Sequence, residues 1–176
     1  MHTEQGRVYL FVPIDRTSIL VALAELQPRA VKMLAAEFLR RVLAAVPYQM
    51  HRVLTDNGTQ FGNMRRQPPA GRYTFGRTYD AHGIELYFTK PAHPRTNGQV
   101  ERMNRTRKEA TVLLYHYETT AQLNEHLQAF LLACNHAKRL KTLRGLTLHE
   151  FICAQHQKNP ATFTRDPPQL TLGLYT

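Results

Sequence analysis

The chain of 176 residues has two cysteines, no tryptophan and a single serine. Cys134 and Cys153 stand 19 positions apart (153 − 134) and form no CxxC pair, so we expect buried, reduced thiols. Ser18 has no histidine and acid arranged around it in the manner of a serine hydrolase. The nine histidines show no HExxH spacing, and the sequence therefore predicts no zinc site.

Long hydrophobic runs are also missing. The apolar run at 18–26 is short and is followed at once by Gln27-Pro28-Arg29. A membrane helix needs roughly 20 apolar residues, so we expect a soluble, cytoplasmic chain without a membrane partner. The run at 58–62 contains two glycines but lacks the Lys-Ser/Thr pair of a nucleotide-binding P-loop.

Positive charge is abundant. Lys and Arg number 23 against 13 Asp and Glu, which gives a formal net charge of +10. The basic residues concentrate at 95–108 and 138–144. Such a distribution favours a polyanionic partner, and it predicts nucleic acid rather than a merely basic soluble surface.

The apolar pattern predicts one α/β domain. Apolar runs at 7–14 and 19–26, separated by Asp15-Arg16-Thr17, predict a hairpin, and 51–55 and 84–88 predict two further strands. Helical spacing predicts helices over 29–46, 97–117 and 120–136, a short helix ending near Tyr79 and another beginning near Thr147. We expect a mixed sheet within a domain at 1–156, and a loosely ordered, proline-containing tail at 157–176.

Two acidic residues occupy positions suited to metal-dependent chemistry. Asp56 ends a predicted strand and precedes Asn57-Gly58, and Glu101 lies in the first turn of the long predicted helix. Carboxylates placed in this way can hold two divalent cations about 3.5–4 Å apart for displacement at phosphorus. Asn104, Arg105 and Lys108 follow Glu101 on the same helical face, where phosphate could bind. An exposed ion pair between Glu101 and Arg105 is the alternative interpretation.

Two longer motifs carry a family resemblance. Residues 54–61 (LTDNGTQF) and 91–104 (PAHPRTNGQVERMN) resemble the paired signatures of the DDE integrase catalytic core. They are similar to those of retroviral integrases and, more closely, of bacterial insertion-sequence transposases. The resemblance covers nearly the whole chain, from Gly6-Arg7-Val8-Tyr9-Leu10 to Leu143-Arg144-Gly145-Leu146-Thr147.

The resemblance implies a ribonuclease H-like mixed sheet flanked by helices, and an enzyme that uses Mg²⁺ or Mn²⁺ to cut DNA ends and join them to a target. Asp56 and Glu101 would be the second and third carboxylates of its triad. Their separation, 101 − 56 = 45, exceeds the family's usual gap and fits an insertion near 64–76. The implied DNA-binding residues are Arg95, Arg102, Asn104, Arg105 and Lys108. The implied partners are DNA and a second copy of the chain or an intact transposase, in a bacterial cytoplasm.

The resemblance departs from the family at the first aspartate. That residue belongs to the central first strand and would fall at or before Met1, so we expect this strand to be missing or incomplete and the core to be N-terminally truncated. Asp15 is a substitute candidate for metal binding, although its position favours a turn aspartate or a partner of Arg16. A non-catalytic remnant that binds DNA or a transposase is therefore the alternative function. A ribonuclease acting on RNA–DNA hybrids would share the fold, but the paired motifs do not favour it.

Overall fold

The computed structural model describes residues 1–55, 58–61, 74–88, 105–106, 111 and 114–167. The elements are β1 His2–Thr3, β2 Gly6–Arg7, β3 Tyr9–Phe11, β4 Glu25–Gln27, α1 Lys32–Ala45, β5 Arg52–Thr55, α2 Thr74–Ala81, β6 Glu85–Phe88, α3 Thr120–His136 and α4 Leu148–Lys158. Short 3₁₀ turns follow α3 and α4, at Lys141–Leu143 and Pro160–Thr162. The predicted mixed α/β class is confirmed.

The described strands form three separate pairs. β1 with β2 and β3 with β4 are antiparallel, whereas β5 with β6 is parallel. β1 has two residues, and no described strand joins β3 to β5. The predicted incompleteness of the first strand stays a prediction.

The predicted hairpin is shorter than its apolar pattern suggests. β3 and β4 pair over three residues each, with Leu10 opposite Leu26. Ile19 has a positive φ of 65°, which breaks the extended conformation just after the turn. The run that follows is buried without belonging to a strand, and its side chains pack into two apolar clusters. Leu20 and Leu23 pack with α1, while Val21 and Ala24 pack with α3.

Helix α1 forms the main apolar layer. It begins at Lys32, later than predicted, and ends at Ala45 ahead of Pro47. Val31, the residue before Lys32, has an extended backbone with φ −117° and ψ 156°. Phe38, Leu39 and Val42 are buried against the strands and α4.

Helix α3 covers the opposite side, with the bounds that the periodicity predicts. Thr119 and Gln122 form a reciprocal capping box at its start, which satisfies backbone N–H groups that a helix leaves unpaired. Leu127 and Leu131 are buried against the 20–24 run. Asn135 Nδ2 donates to Val21 O at 2.9 Å and ties the end of α3 to that run.

One prediction for the C-terminal part of the chain is wrong. Residues 159–167 are not loosely ordered, because Phe163 pairs with Tyr48 in a β-bridge and their rings lie 6.0 Å apart. α4 continues through residue 156, and the domain boundary predicted there stays a prediction.

The long helix predicted over 97–117 lies mostly outside the described residues. Residues 105–106 are helical, but 115–117 are not. Tyr117 is instead buried beside Val8 and Leu123, and its carbonyl accepts from Glu4 N at 3.1 Å. The predicted C-terminal end of this helix is therefore wrong. Among the described helices, none has the length and apolar character needed to cross a membrane.

Candidate active site

The parallel pair β5 and β6 defines the edge at which the candidate site lies. Thr55 is opposite Phe88, so the two strands end at the same edge of the sheet. Val53 and Leu86 pack against the core and hold the pair in place. At the other end, Arg52 Nε donates to Glu85 Oε2 at 2.9 Å. Hydrogen bonds from Tyr87 and Arg52 lower the pKa of the Glu85 carboxyl.

Asp56 follows β5 directly, and the chain after β6 leads towards Glu101. Asp56 and Glu101 themselves lie outside the described residues, as do Arg95, Arg102, Asn104 and Lys108. Arg105 is described, and it is helical and exposed. The structure thus places the end of β5, which Asp56 follows directly, whereas Glu101 comes 13 positions after β6 (101 − 88). The distance between the two carboxylates stays a prediction.

The segment after Asp56 returns to the core within a few residues. Phe61 N donates to Gly58 O at 2.9 Å and closes a tight turn. The Phe61 ring packs 6.4 Å from the ring of Phe11. The chain is therefore anchored at Thr55 on one side of Asp56 and at Phe61 on the other.

Asp15 has a different set of contacts. Its carboxylate accepts hydrogen bonds from Thr17 N at 3.1 Å, Ser18 N at 3.2 Å and Ser18 Oγ at 2.5 Å. The hydroxyl of Tyr48 also donates to it. Burial, the negative charge of Asp15 and this hydrogen bond together raise the pKa of Tyr48.

These contacts hold Asp15 in a turn beside Tyr48, a residue that precedes β5 in the chain. They agree with a turn role for Asp15, and its role as a metal ligand stays a prediction.

We expect Asp15→Ala to lower the free energy of unfolding by about 2–4 kcal/mol, because the Ser18 and Tyr48 hydroxyls lose their acceptor in a partly buried turn. Urea denaturation measures the change. Asp80→Ala, at an exposed position on α2, is the matched control and should change stability by less than about 0.5 kcal/mol. Equal, small effects of both substitutions would show that the turn does not depend on the carboxylate.

The second basic segment, 138–144, lies in the loop between α3 and α4. Arg139 donates to Gly145 O at 2.9 Å and to both carboxylate oxygens of Glu150 at 3.1 and 3.2 Å. The Thr147 backbone hydrogen bond, followed by the charge of Arg139, lowers the pKa of Glu150. The loop exposes its other basic side chains to solvent, namely Lys138, Lys141 and Arg144.

The donor set of the candidate site suits a hard divalent cation. Asp56 and Glu101 supply carboxylate oxygens, the ligands that Mg²⁺ prefers in proteins. Within the described ranges, His, Cys, Asp and Glu side chains form no group of three or more that could hold a metal ion. Neither cysteine forms a disulfide, and Cys134 is buried as expected whereas Cys153 is partly exposed.

The chain is similar to integrase catalytic cores in both sequence and fold. A model of the integrase core domain matches residues 82–147, which is less than half of the chain. The predicted resemblance to integrase catalytic cores is confirmed. The matched region contains β6, Glu101 and both basic segments, while Asp56 lies before it. No curated protein matches the sequence.

Solved structures confirm the ribonuclease H-like fold. The catalytic core domain of BIV integrase is 20% identical with a TM-score of 0.64, and the match covers 90% of this chain and 93% of that one. A chain of the simian T-cell lymphotropic virus intasome, solved in complex with PP2A regulatory subunit B56 gamma, is 22% identical with a TM-score of 0.62. That match covers 80% of this chain and spans 46% of the intasome chain.

Sequence reasoning missed Tyr48 as the partner of Asp15. The two residues are 33 positions apart (48 − 15), and no periodic pattern connects them. The sequence around Tyr48 shows only that it follows Pro47 and lies shortly before a predicted strand. Neither feature identifies a hydrogen-bond partner.

Proposed function

We propose that this chain is a catalytic domain for DNA integration or transposition that acts by metal-dependent phosphoryl transfer. One combined observation carries the proposal: the integrase catalytic-core fold extends over 90% of the chain, and the integrase core domain match includes Glu101. The structurally similar chains are named as an integrase and as part of an intasome. The net charge of +10 agrees with a DNA substrate.

Asp56 and Glu101 are the proposed ligands of Mg²⁺ or Mn²⁺. The cation, when bound, stabilises negative charge on the phosphoryl oxygens and activates the attacking oxygen. The parallel ends of β5 and β6 agree with this pairing, because Asp56 follows β5 directly and Glu101 comes 13 positions after β6 (101 − 88). The strand pair, anchored by Val53 and Leu86, provides a rigid base for them.

The proposed DNA contacts are cationic and polar side chains around Glu101, which hold phosphates beside the cations. They are Arg95, Arg102, Asn104, Arg105 and Lys108. The exposure of Arg105 supports this role for the one member that is described. Since two DNA ends are joined in such a reaction, we propose that the chain works with a second copy or with an intact transposase in a bacterial cell.

A second candidate function is DNA binding without catalysis. The net charge of +10 supports it, because binding to phosphates needs cationic side chains and no bound metal ion. Both functions predict DNA binding, but only the first predicts chemistry that depends on Mg²⁺.

DNA binding should depend steeply on salt. Four cationic contacts (Arg95, Arg102, Arg105 and Lys108) correspond to a slope of about −0.9 × 4 = −3.6 in log K against log salt, so raising salt from about 50 to 200 mM should weaken binding roughly 100-fold. We expect Arg105→Ala to reduce the slope by about 0.9. Arg40→Ala removes the same charge from an exposed position on α1 and should leave the slope unchanged. Fluorescence anisotropy with a labelled duplex measures both.

The two functions are separated by incubating the same duplex with and without Mg²⁺. Nicking or strand joining that requires Mg²⁺ supports the enzyme, and salt-dependent binding without any product supports the binding protein. An RNA–DNA hybrid serves as the substrate control, since selective cleavage of the hybrid would contradict both. A DNA affinity that does not change with salt concentration would contradict the proposed phosphate contacts.

A further inference from the structure

The chain from the end of α3 to the end of α4 carries an excess of positive charge. Residues 138–158 contain five Lys and Arg residues and one acidic residue, Glu150, which gives a formal charge of 5 − 1 = +4. Glu150 is already engaged, because both of its carboxylate oxygens accept from Arg139. Three other cations are exposed, and within the described part of the chain their side chains take part in no hydrogen bond or ion pair. They are Lys141, Arg144 and Lys158, which we call the basic loop surface.

The loop that carries two of these cations has a closely bonded backbone. Leu140 and Leu146 form a β-bridge, in which Leu140 N donates to Leu146 O at 3.1 Å. Gly145 N donates to Leu140 O at 2.9 Å. Arg144 completes the turn with a left-handed backbone, at φ 57°, which a residue with a side chain rarely adopts. The loop therefore presents its cations from a preorganised backbone, which reduces the entropy lost on binding.

Two of the three cations border one small pocket. The pocket has a volume of about 320 Å³, and Arg144 and Lys158 are among its lining residues. Thr142 and Gln155 also line it and supply a hydroxyl and an amide, which donate hydrogen bonds without charge. Charged and neutral donors together suit the phosphates of a nucleic-acid backbone, since such phosphates accept from both kinds of side chain.

The exposed part of this region lacks the anchors of a protein interface. Every large apolar side chain at 138–158 is buried or half-buried. Leu143 is buried, and Leu140 and Leu146 pack against the main apolar cluster. Protein interfaces depend on aromatic and other large anchors that enter pockets, whereas DNA interfaces are polar and strongly positive. The chemistry of the basic loop surface therefore favours DNA over an acidic protein.

We propose that the basic loop surface binds the phosphate backbone of DNA, as a contact area additional to the residues around Glu101. Arg144 and Lys158 hold phosphates at the pocket, and Lys141 extends the contact. Phosphate contacts carry no sequence information, so the surface accepts duplexes of any sequence. The inference rests on the proposed function in that its partner is DNA, and it does not depend on metal binding or catalysis.

Arg144→Gly and Lys158→Gln test the surface in the whole chain. Each variant removes one cation, so the slope of log K against log salt should become shallower by about 0.9, and DNA affinity near 0.1 M salt should fall roughly eightfold. These contacts add to the slope expected from the four cations around Glu101. Fluorescence anisotropy with two labelled duplexes of unrelated sequence measures the effect, which should be the same for both. Lys32→Gln removes the same charge from an exposed position on α1 and should leave the slope unchanged.

Arg144→Gly also separates lost binding from lost folding. Glycine adopts the left-handed backbone of residue 144 without steric cost, so Tm should stay within about 3 °C of that of the unsubstituted chain. Thermal unfolding followed by circular dichroism measures Tm. If Tm falls further, the slope of Lys158→Gln alone decides for or against the surface.

The same titrations separate this surface from the contacts around Glu101. If Arg105→Ala reduces the slope but both loop variants leave it unchanged, the basic loop surface does not bind DNA and the proposed function stands. If only the loop variants reduce it, the basic loop surface is supported and the assignment of Arg105 is wrong. A loss confined to one of the two duplexes would indicate base contacts and overturn the proposal. So would a labelled polyglutamate peptide that binds more tightly than the duplex and loses its affinity in both loop variants.

Discussion

Replacing Glu101 by Gln is expected to abolish Mg²⁺-dependent DNA cleavage and strand transfer, and Asp56→Asn should have the same effect. Each change keeps the size of the side chain and removes one of the two anionic oxygen ligands proposed for the cation. Cation affinity should fall at least about tenfold, because even changes to the residues that merely orient metal ligands cost 10–100-fold. Gel assays of DNA products and calorimetric titration with Mn²⁺ measure the two effects.

Glu118→Gln is the matched control. It makes the same chemical change at an exposed carboxylate just before α3 and should leave cation affinity and activity unaltered. Because the Gln variants remove negative charge, their DNA binding should be retained. If Glu101→Gln leaves activity and Mn²⁺ affinity unchanged, Glu101 is not a ligand of the cation. If the unsubstituted chain cleaves no DNA but the variant binds Mn²⁺ more weakly, Glu101 is a ligand and the binding function is favoured over catalysis.

Replacing Leu127 by Ala is expected to lower the free energy of unfolding by about 3–5 kcal/mol. Leu127 is fully buried in α3, where it packs against Val21 and Ala24. The substitution removes apolar contacts and leaves a cavity that the surrounding helix and run cannot fill. A loss of this size is a large fraction of the roughly 5–15 kcal/mol by which a domain is stable.

Leu114→Ala makes the same change at a side chain that is 71% exposed, and it should cost less than about 0.5 kcal/mol. Urea denaturation of both variants gives the comparison. A cost below about 1.5 kcal/mol for Leu127→Ala would mean that α3 does not pack on the 20–24 run as described. In that case Asn135→Ala, which removes the 2.9 Å hydrogen bond to Val21 O, should also have little effect.

Local pattern predicted the helices well where one face is apolar and the ends are capped. α3 has its predicted bounds, because Leu123, Leu127 and Leu131 mark the buried face and Thr119 supplies the cap. The same reasoning placed β5 and β6 within one residue of their observed starts. The bounds of these elements depend on residues that are close together in the chain, and a sequence shows those residues directly.

The same reasoning overextended the first hairpin. The run at 20–24 is buried, so its apolar pattern is real, but it packs between α1 and α3 and belongs to none of the described strands. An apolar run indicates burial and cannot distinguish a paired strand from an extended segment between two helices. The docking of Phe163 on Tyr48 was missed for a related reason, since a single aromatic residue carries no periodicity.

The sequence by itself determined the α/β class, the basic character of the chain and the two motifs that contain Asp56 and Glu101, because each is a property of composition or of short-range spacing. Only the tertiary structure decided that the Asp15 carboxylate accepts a hydrogen bond from the Tyr48 hydroxyl, and that Phe163 pairs with Tyr48 in a β-bridge. Both facts join residues more than 30 positions apart. Contacts of that range depend on how the layers pack, which no local pattern encodes.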